Sequence, residues 1–414
     1  MVDLHNRARR MDCAVKLLIG SKPILNENKK RILEFRQHCV ASGLSVARQL
    51  YYLQRLTRIA ERLGEKRFED CGRADIQVLM EHVNTAKTES GKPWSGWNKA
   101  AYALTIKKFW RWLKQVEDSD EDPPETSWIK IRWPTDSQIL PEDILTCEDI
   151  LAMLKTAKKR GTMWWAMIAT ADDKALRPEE WMTLTISQIQ FDDYGDVSTV
   201  KSGKVGERRV RLVSSSPALR EWLSIHPDSN NPKGPVWIYL KGPRKGERLS
   251  YDAIRSAIRS IARESNVKKR VNPYSFRHSS ITRSSTKLTE PVMRKLYGWS
   301  ASSHMPARYI HLSGRDVDDE VLNMHGITRG PNEEKVLNPI RCRRCELLNS
   351  PEARFCSRCS APLDELSIET LDQKSRKADE VMAALLRDPE VQSVIARKIR
   401  ELGLASKLLD GQAE

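Results

Sequence analysis

No apolar run in this sequence is long enough to cross a bilayer. The longest, MWWAMIATA at 163–171, falls far short of the ~20 residues a spanning helix needs, which excludes a transmembrane helix. AVKLLIG near the N-terminus is interrupted by Lys16 and followed by no small-residue cleavage pattern, so it does not read as a secretory signal and the expected compartment is the cytoplasm. There is no GxxxxGK[ST] stretch, hence no P-loop for nucleotide phosphates, and no internal repeat. Acidic residues are in deficit, 55 against 70 Lys and Arg, and the resulting charge of +15 favours a polyanionic partner, nucleic acid before an anionic membrane surface. Cysteine is sparse through most of the chain; Cys13, Cys39, Cys71 and Cys147 are scattered and read as packing residues.

What is present divides the 414 residues into several domains. From Ser45, SVARQLYYLQRLTRIAERLG sets Val46, Leu50, Leu53, Leu56, Ile59 and Leu63 at steps of three and four, with Ser45 as N-cap and Gly64 as stop. Similar spacing recurs in NKKRILEFRQHCVASGL, in DIQVLMEHV and in NKAAYALTIKKFWRWLK, so residues 1–117 read as a small helical domain. Its Arg55, Arg58, Arg62, Lys107, Lys108 and Arg111 are candidates for phosphate contacts, against the ordinary reading of a solvated helix face. EDSDEDPPETSW, acidic and without period, reads as part of a linker over 118–140. A helical domain over 141–330 follows, carrying a hairpin in DVSTVKSGKVGERRVRLV, where Val197 and Thr199, then Val210 and Leu212, alternate around a Gly-containing turn.

Three short stretches carry chemistry. In ALRPEEW, Glu180 stands one helical turn beyond Arg177 and can hold its guanidinium. NPYSFRHSS puts Tyr274 and Arg277 one turn apart after the basic KKRVNP. GWSASSHMPARYIH places Trp299 ten residues ahead of Tyr309, on a segment with no apolar period, so the phenol is expected to be presented outward. Between the first and second lies Lys204, in the hairpin turn. A lone Arg or Tyr in a basic chain is ordinarily a surface residue. Five such matches in one chain order resemble the tyrosine recombinase (phage integrase) family, most closely its archaeal Xer-like members, over about residues 28–327.

The resemblance implies a mainly α fold with a small antiparallel β-sheet: a helical SAM-like core-binding domain, then a tyrosine recombinase catalytic domain. It implies Arg177 and Arg277 as phosphate-binding arginines, Glu180 as the acid supporting the first, Lys204 as catalytic lysine, Trp299 at the position taken by His or Trp, and Tyr309 as a nucleophile forming a 3′-phosphotyrosine. His278 and His311 are expected as supporting groups. Tyr274 departs from the pattern, because most members carry His there; a phenol bonds a phosphate oxygen but accepts a proton poorly near neutral pH. The implied function is a site-specific DNA recombinase acting on double-stranded DNA as a homo-oligomer, without ATP or catalytic cofactor. A type IB topoisomerase-like relaxing enzyme and an inactive DNA-binding regulator with the same fold are the alternatives.

Beyond a second linker at GPNEEKVLNP, Cys342, Cys345, Cys356 and Cys359 form two CxxC pairs ten residues apart. In a cytoplasmic chain that spacing points to a closed four-thiolate site for structural Zn²⁺, a zinc ribbon over 338–364. Its Arg341, Arg343, Arg344, Arg354 and Arg358 suit DNA or another protomer equally. The tail, 365–414, reads as two amphipathic helices broken near Asp388 and Pro389, whose Val381, Leu385, Leu386, Val394 and Ile399 suit docking on another protomer or on the chain's own catalytic domain.

Overall fold

The computed structural model describes residues 3–134, 143–173, 176–202, 206–285, 287–310, 321–322, 324–327 and 339–402. It is mainly helical with two small antiparallel sheets, and the chain divides into two compact units, 1–143 with 249–255 and 144–248 with 256–414.

The first unit holds α1 (Arg7–Gly20), α2 (Asn26–Ala41), α3 (Val46–Leu63), α4 (Arg73–Thr85) and α5 (Gly96–Leu113). The Ser45 hydroxyl accepts from the Arg48 N–H and Gly64 ends α3 at φ 61°, as the sequence predicts. Leu50, Leu53, Leu56 and Ile59 are buried with Phe35, Phe68, Ile106 and Phe109, so the three-and-four spacing of α3 and α5 marks faces of one core.

The acidic stretch expected as a linker is instead bound to α5. Asp122 lies 2.5 Å from the Lys107 ammonium and 3.1 Å from the Arg111 guanidinium, Glu117 3.4 Å from Lys108, and Glu125 2.9 Å from Lys114. Thr126 and Ile129 are buried, the latter in the core. Composition alone cannot separate a solvated acidic linker from a strap whose counter-charges lie on an earlier helix. The strap also accounts for three of the expected phosphate contacts, since Lys107, Lys108 and Arg111 already hold carboxylates. Arg55 is half-buried, its guanidinium 3.7 Å from the centre of the Tyr51 ring.

The second unit starts with α6 (Cys147–Arg160) and α7 (Thr162–Asp172), whose residues from Trp165 onward are all buried; this helix is the long apolar run. After α8 (Pro178–Met182), strands β1 (Ile189–Asp192), β2 (Gly195–Ser202) and β3 (Gly206–Leu212) form an antiparallel sheet in that order, with Ser202 paired to Gly206 and Asp196 to Leu212. Helices α9 (Ser216–Ser224), α10 (Tyr251–Glu264, whose residues 251–255 count with the first unit), α11 (Pro273–Ser285), α12 (Glu290–Tyr297) and α13 (Met305–Ile310) follow.

The cysteine module consists of β4 (Ile340–Arg341), β5 (Leu348–Asn349) and two matching knuckles. In each, the first cysteine's carbonyl accepts an N–H four residues on, Glu346 to Cys342 at 2.8 Å and Ser360 to Cys356 at 2.9 Å, and that fourth residue is left-handed (φ 59° and 56°). The module is fastened to the unit by the Trp165 indole N–H on Glu352 (3.1 Å) and by Arg341 donating to the Asp193 carbonyl (3.3 Å). The tail forms α14 (Glu365–Arg387) and α15 (Pro389–Glu401), capped anew by Asp388; Val381, Leu385, Leu386 and Val394 are exposed.

Candidate active site

The segment LRPEE nucleates α8 and an arginine site together. Pro178 takes the first helical position, where its missing N–H costs nothing, and Glu180 takes the third. The Glu180 carboxylate therefore reaches back to accept the Arg177 backbone N–H at 2.8 Å, and its other oxygen accepts from the Arg177 guanidinium at 2.9 Å. The same carboxylate receives a two-pronged bond from Arg208 on β3, 2.7 Å to each oxygen. Burial works to raise the Glu180 carboxyl, but the bond and charge of Arg208, with those of Arg177, outweigh it and hold the group below the usual carboxylate range.

Sequence reasoning missed Arg208. Its signal was parity: on β3 it shares the inward face with Val210 and Leu212, where an arginine needs a partner.

Gly298, at the end of α12, closes the site from the far side. Its carbonyl accepts from the Arg177 guanidinium at 2.5 Å, while the Leu296 carbonyl accepts from Arg208 Nε at 3.1 Å. Gly298 is left-handed at φ 64°, and a Cβ there would meet Arg177 Nη1 and Arg208 Nη1 at 3.0 Å each.

On α11, Arg277 is buried and donates to the Tyr297 carbonyl at 3.0 Å. Burial, with the neighbouring charge of Arg177, pulls its guanidinium down to about 10, so it stays cationic at neutral pH. One residue on, His278 Nδ1 lies 2.7 Å from the Tyr309 hydroxyl. Tyr309 stacks on Trp299 with ring centres 5.8 Å apart and planes 13° from parallel. The phenol is thus not presented outward as the polar segment suggested. Tyr309 is 1 % exposed, because α13 turns it between His278 and Trp299, partners 31 and ten residues away.

Arg177, Glu180, Arg277, His278, Trp299 and Tyr309 thus come together within one unit. Tyr274 stands at the rim, 45 % exposed, its ring 6.2 Å from that of His278. Lys204 and His311 lie outside the described residues. Chemically, Arg177 and Arg208 share the Glu180 carboxylate and Arg277 stands nearby, a surplus of positive charge suited to an anion with non-bridging oxygens.

The four cysteines form a second, separate centre. Their sulfurs lie within 4.8 Å of one another, with Cys342 and Cys359 3.6 Å apart and Cys345 and Cys356 3.5 Å apart. Disulfides need about 2 Å. A tetrahedron of ~2.3 Å metal–thiolate bonds has edges near these spacings, so the cysteines can hold a metal ion.

Residues 143–315 match the phage integrase family. Over 292 residues, 67 % of this chain and 92 % of the relative, the sequence is 24 % identical to tyrosine recombinase XerD of Lacticaseibacillus casei. It is 29 % identical over 139 residues to tyrosine recombinase Synpcc7942_B2651 of Synechococcus elongatus; that match covers 32 % of this chain and 42 % of the relative, less than half its length. Residues 143–315 are thus similar to the phage integrase family, and a longer stretch of the chain to a tyrosine recombinase.

Solved structures show the same fold. A lambda integrase dimer bound to a COC′ core site is similar over 74 % of this chain and 87 % of its own, at 13 % identity and a TM-score of 0.53. XerH site-specific recombinase bound to palindromic difH substrate, a post-cleavage complex, is similar over 78 % and 96 %, at 15 % identity and a TM-score of 0.50. The four cysteines lie beyond the residues that match the family. Among the described residues no helix is long and apolar enough to cross a membrane.

Proposed function

We propose that the protein is a site-specific DNA recombinase that cuts and rejoins double-stranded DNA through Tyr309. The reading is carried by one observation: a tyrosine hydroxyl held 2.7 Å from an imidazole, in the same unit as a cluster of arginines around the Glu180 carboxylate.

In this reading DNA binding brings the scissile phosphate to Tyr309, whose hydroxyl turns toward it while the ring stays between His278 and Trp299. Its oxygen attacks the scissile phosphorus while the phenolic proton passes to His278, the P–O5′ bond breaks, and Lys204 protonates the departing 5′ oxygen. Arg177 and Arg277 hold the non-bridging oxygens through the crowded transition state, and Trp299 packs against the tyrosine. The 3′-phosphotyrosine link conserves the bond energy, so a 5′-hydroxyl from another strand reverses the step without ATP. Tyr274 offers a phosphate hydrogen bond at the rim. The proton-accepting role that a His would play at its position falls to His278, which already contacts the phenol.

Residues 1–117 would grip the duplex beside the catalytic domain (141–330), and strand exchange requires a homo-oligomer on DNA in the cytoplasm. The cysteine module would hold a structural Zn²⁺ in which all four positions are protein thiolates, leaving no open position for catalysis. Metal analysis should find one zinc per chain, lost in Cys356→Ser.

The decisive test is covalent trapping on a pool of nicked duplexes of varied sequence, comparing wild type with Tyr309→Phe on a denaturing gel. A DNA-linked band that disappears in Tyr309→Phe supports the recombinase. Tight binding with no adduct on any duplex replaces it with a non-catalytic DNA-binding regulator, and relaxation of supercoils without site preference replaces it with a topoisomerase-like enzyme.

A further inference from the structure

We infer that Arg208 is a positioning residue for Arg177, acting through the carboxylate the two share; this deepens the strand-cleavage reading and rests on it.

The two arginines occupy unequal places. Arg208 is turned inward, its side chain 12 % exposed, and every nitrogen of its guanidinium is engaged: Nη1 and Nη2 on the two Glu180 oxygens, Nε on the Leu296 carbonyl. Arg177 is 25 % exposed and gives only one N–H to Glu180 and one to the Gly298 carbonyl. A guanidinium has five N–H donors, so three of those on Arg177 remain for an anion. Arg208 has the geometry of a support and Arg177 that of a receiver.

The support works by saturation. A carboxylate facing a single arginine closes on it as a fork, both oxygens on two parallel N–H groups. Here Arg208 already takes that arrangement, so Glu180 can offer Arg177 only the flank of one oxygen, plus the other for its backbone N–H. The Arg177 guanidinium is thereby held at one edge with the remaining donors free. Without Arg208, Glu180 is left to close on Arg177 and consume the donors a phosphate oxygen needs.

The test is single-turnover adduct formation by wild type, Arg208→Gln and, as a reference, Arg177→Ala. Each is measured on the nicked duplex identified by trapping and on the same duplex carrying a methylphosphonate at the scissile position, in the stereoisomer on which Arg177→Ala is least impaired. Duplex binding is followed separately by gel shift. Misplacing a group by about 1 Å costs on the order of 100-fold in rate, so Arg208→Gln should be slowed about that much on the natural phosphate while binding the duplex nearly as wild type does. On the methylphosphonate, which lacks the oxygen Arg177 serves, its defect should shrink to roughly tenfold or less, in parallel with Arg177→Ala. A variant that is merely misfolded would lose equally on both substrates. An equal loss, or no loss on the phosphate, overturns the inference while the wild-type adduct leaves the cleavage reading standing. Absence of an adduct from wild type removes both.

Discussion

Two buried carboxyl groups of the second unit, Glu180 and Asp196, sit in similarly dry surroundings and ionise in opposite ways. Glu180 is clasped by two guanidiniums and is held below the usual carboxylate range. Asp196, at the start of β2, has the Ser216 hydroxyl at 2.7 Å, Arg220 only at 3.7 Å, and an oxygen without a hydrogen-bond partner. Burial, reinforced by the charges of Asp173 and Asp192, pushes it up to about 7. Desolvation is common to both, so the difference measures what two close arginines contribute. It also shows why the arginine site needs its acid: the cations and the carboxylate make one another's burial tolerable.

The sharpest way to break this comparison is Glu180→Ala, which leaves Arg177 and Arg208 facing each other without a counter-charge. Removing one partner of a buried pair costs about 3–5 kcal/mol, and chemical denaturation should read a loss of that size together with loss of the Tyr309 adduct.

Asp196→Asn should act in the other direction. The folded carboxyl keeps its proton up to about pH 7, whereas the unfolded one releases it near 4. The contribution of this group to stability therefore falls as pH rises across that window and stays lost above it. The Asn variant, uncharged throughout, should be more stable than wild type at pH 8, by at most about 4 kcal/mol, and equal to it near pH 4 in thermal unfolding.

The smallest effect belongs to the first unit. Asp122→Asn breaks the bonds to Lys107 and Arg111 at the edge of the strap, where water already screens the charges, and should cost about 1 kcal/mol or less, shrinking further in high salt.

Much of this architecture is legible along the chain because its signals are local. The Ser45 cap and Gly64 stop, the break at Asp388 and Pro389, the paired strands of the hairpin and the two CxxC knuckles each lie within one element. What was not legible depends on contacts distant in sequence. The strand β1 is four residues long with one buried side chain, too short for alternation to register. The acidic strap looks like a linker until α5 supplies its cations, so a net charge counted from sequence overstates the positive surface left for a polyanion. The burial of Tyr309 depends on Trp299 and His278, and the importance of Arg208 on a carboxylate 28 residues earlier. Of the residues named from motif spacing, Arg177, Glu180, Arg277, Trp299 and Tyr309 lie in one place, but how they support each other is a property of the packing.

Gly298 carries a consequence for sequence drift. Two demands meet at its α-carbon: a left-handed backbone and room for two guanidiniums 3.0 Å from where a side chain would begin. Asparagine, aspartate and histidine meet the first demand more readily than other side chains, but any of them would push the two guanidinium ends out of place. Sequence drift at this position is therefore coupled to the arginine pair: a descendant that replaced the glycine would shift both guanidiniums in the same step.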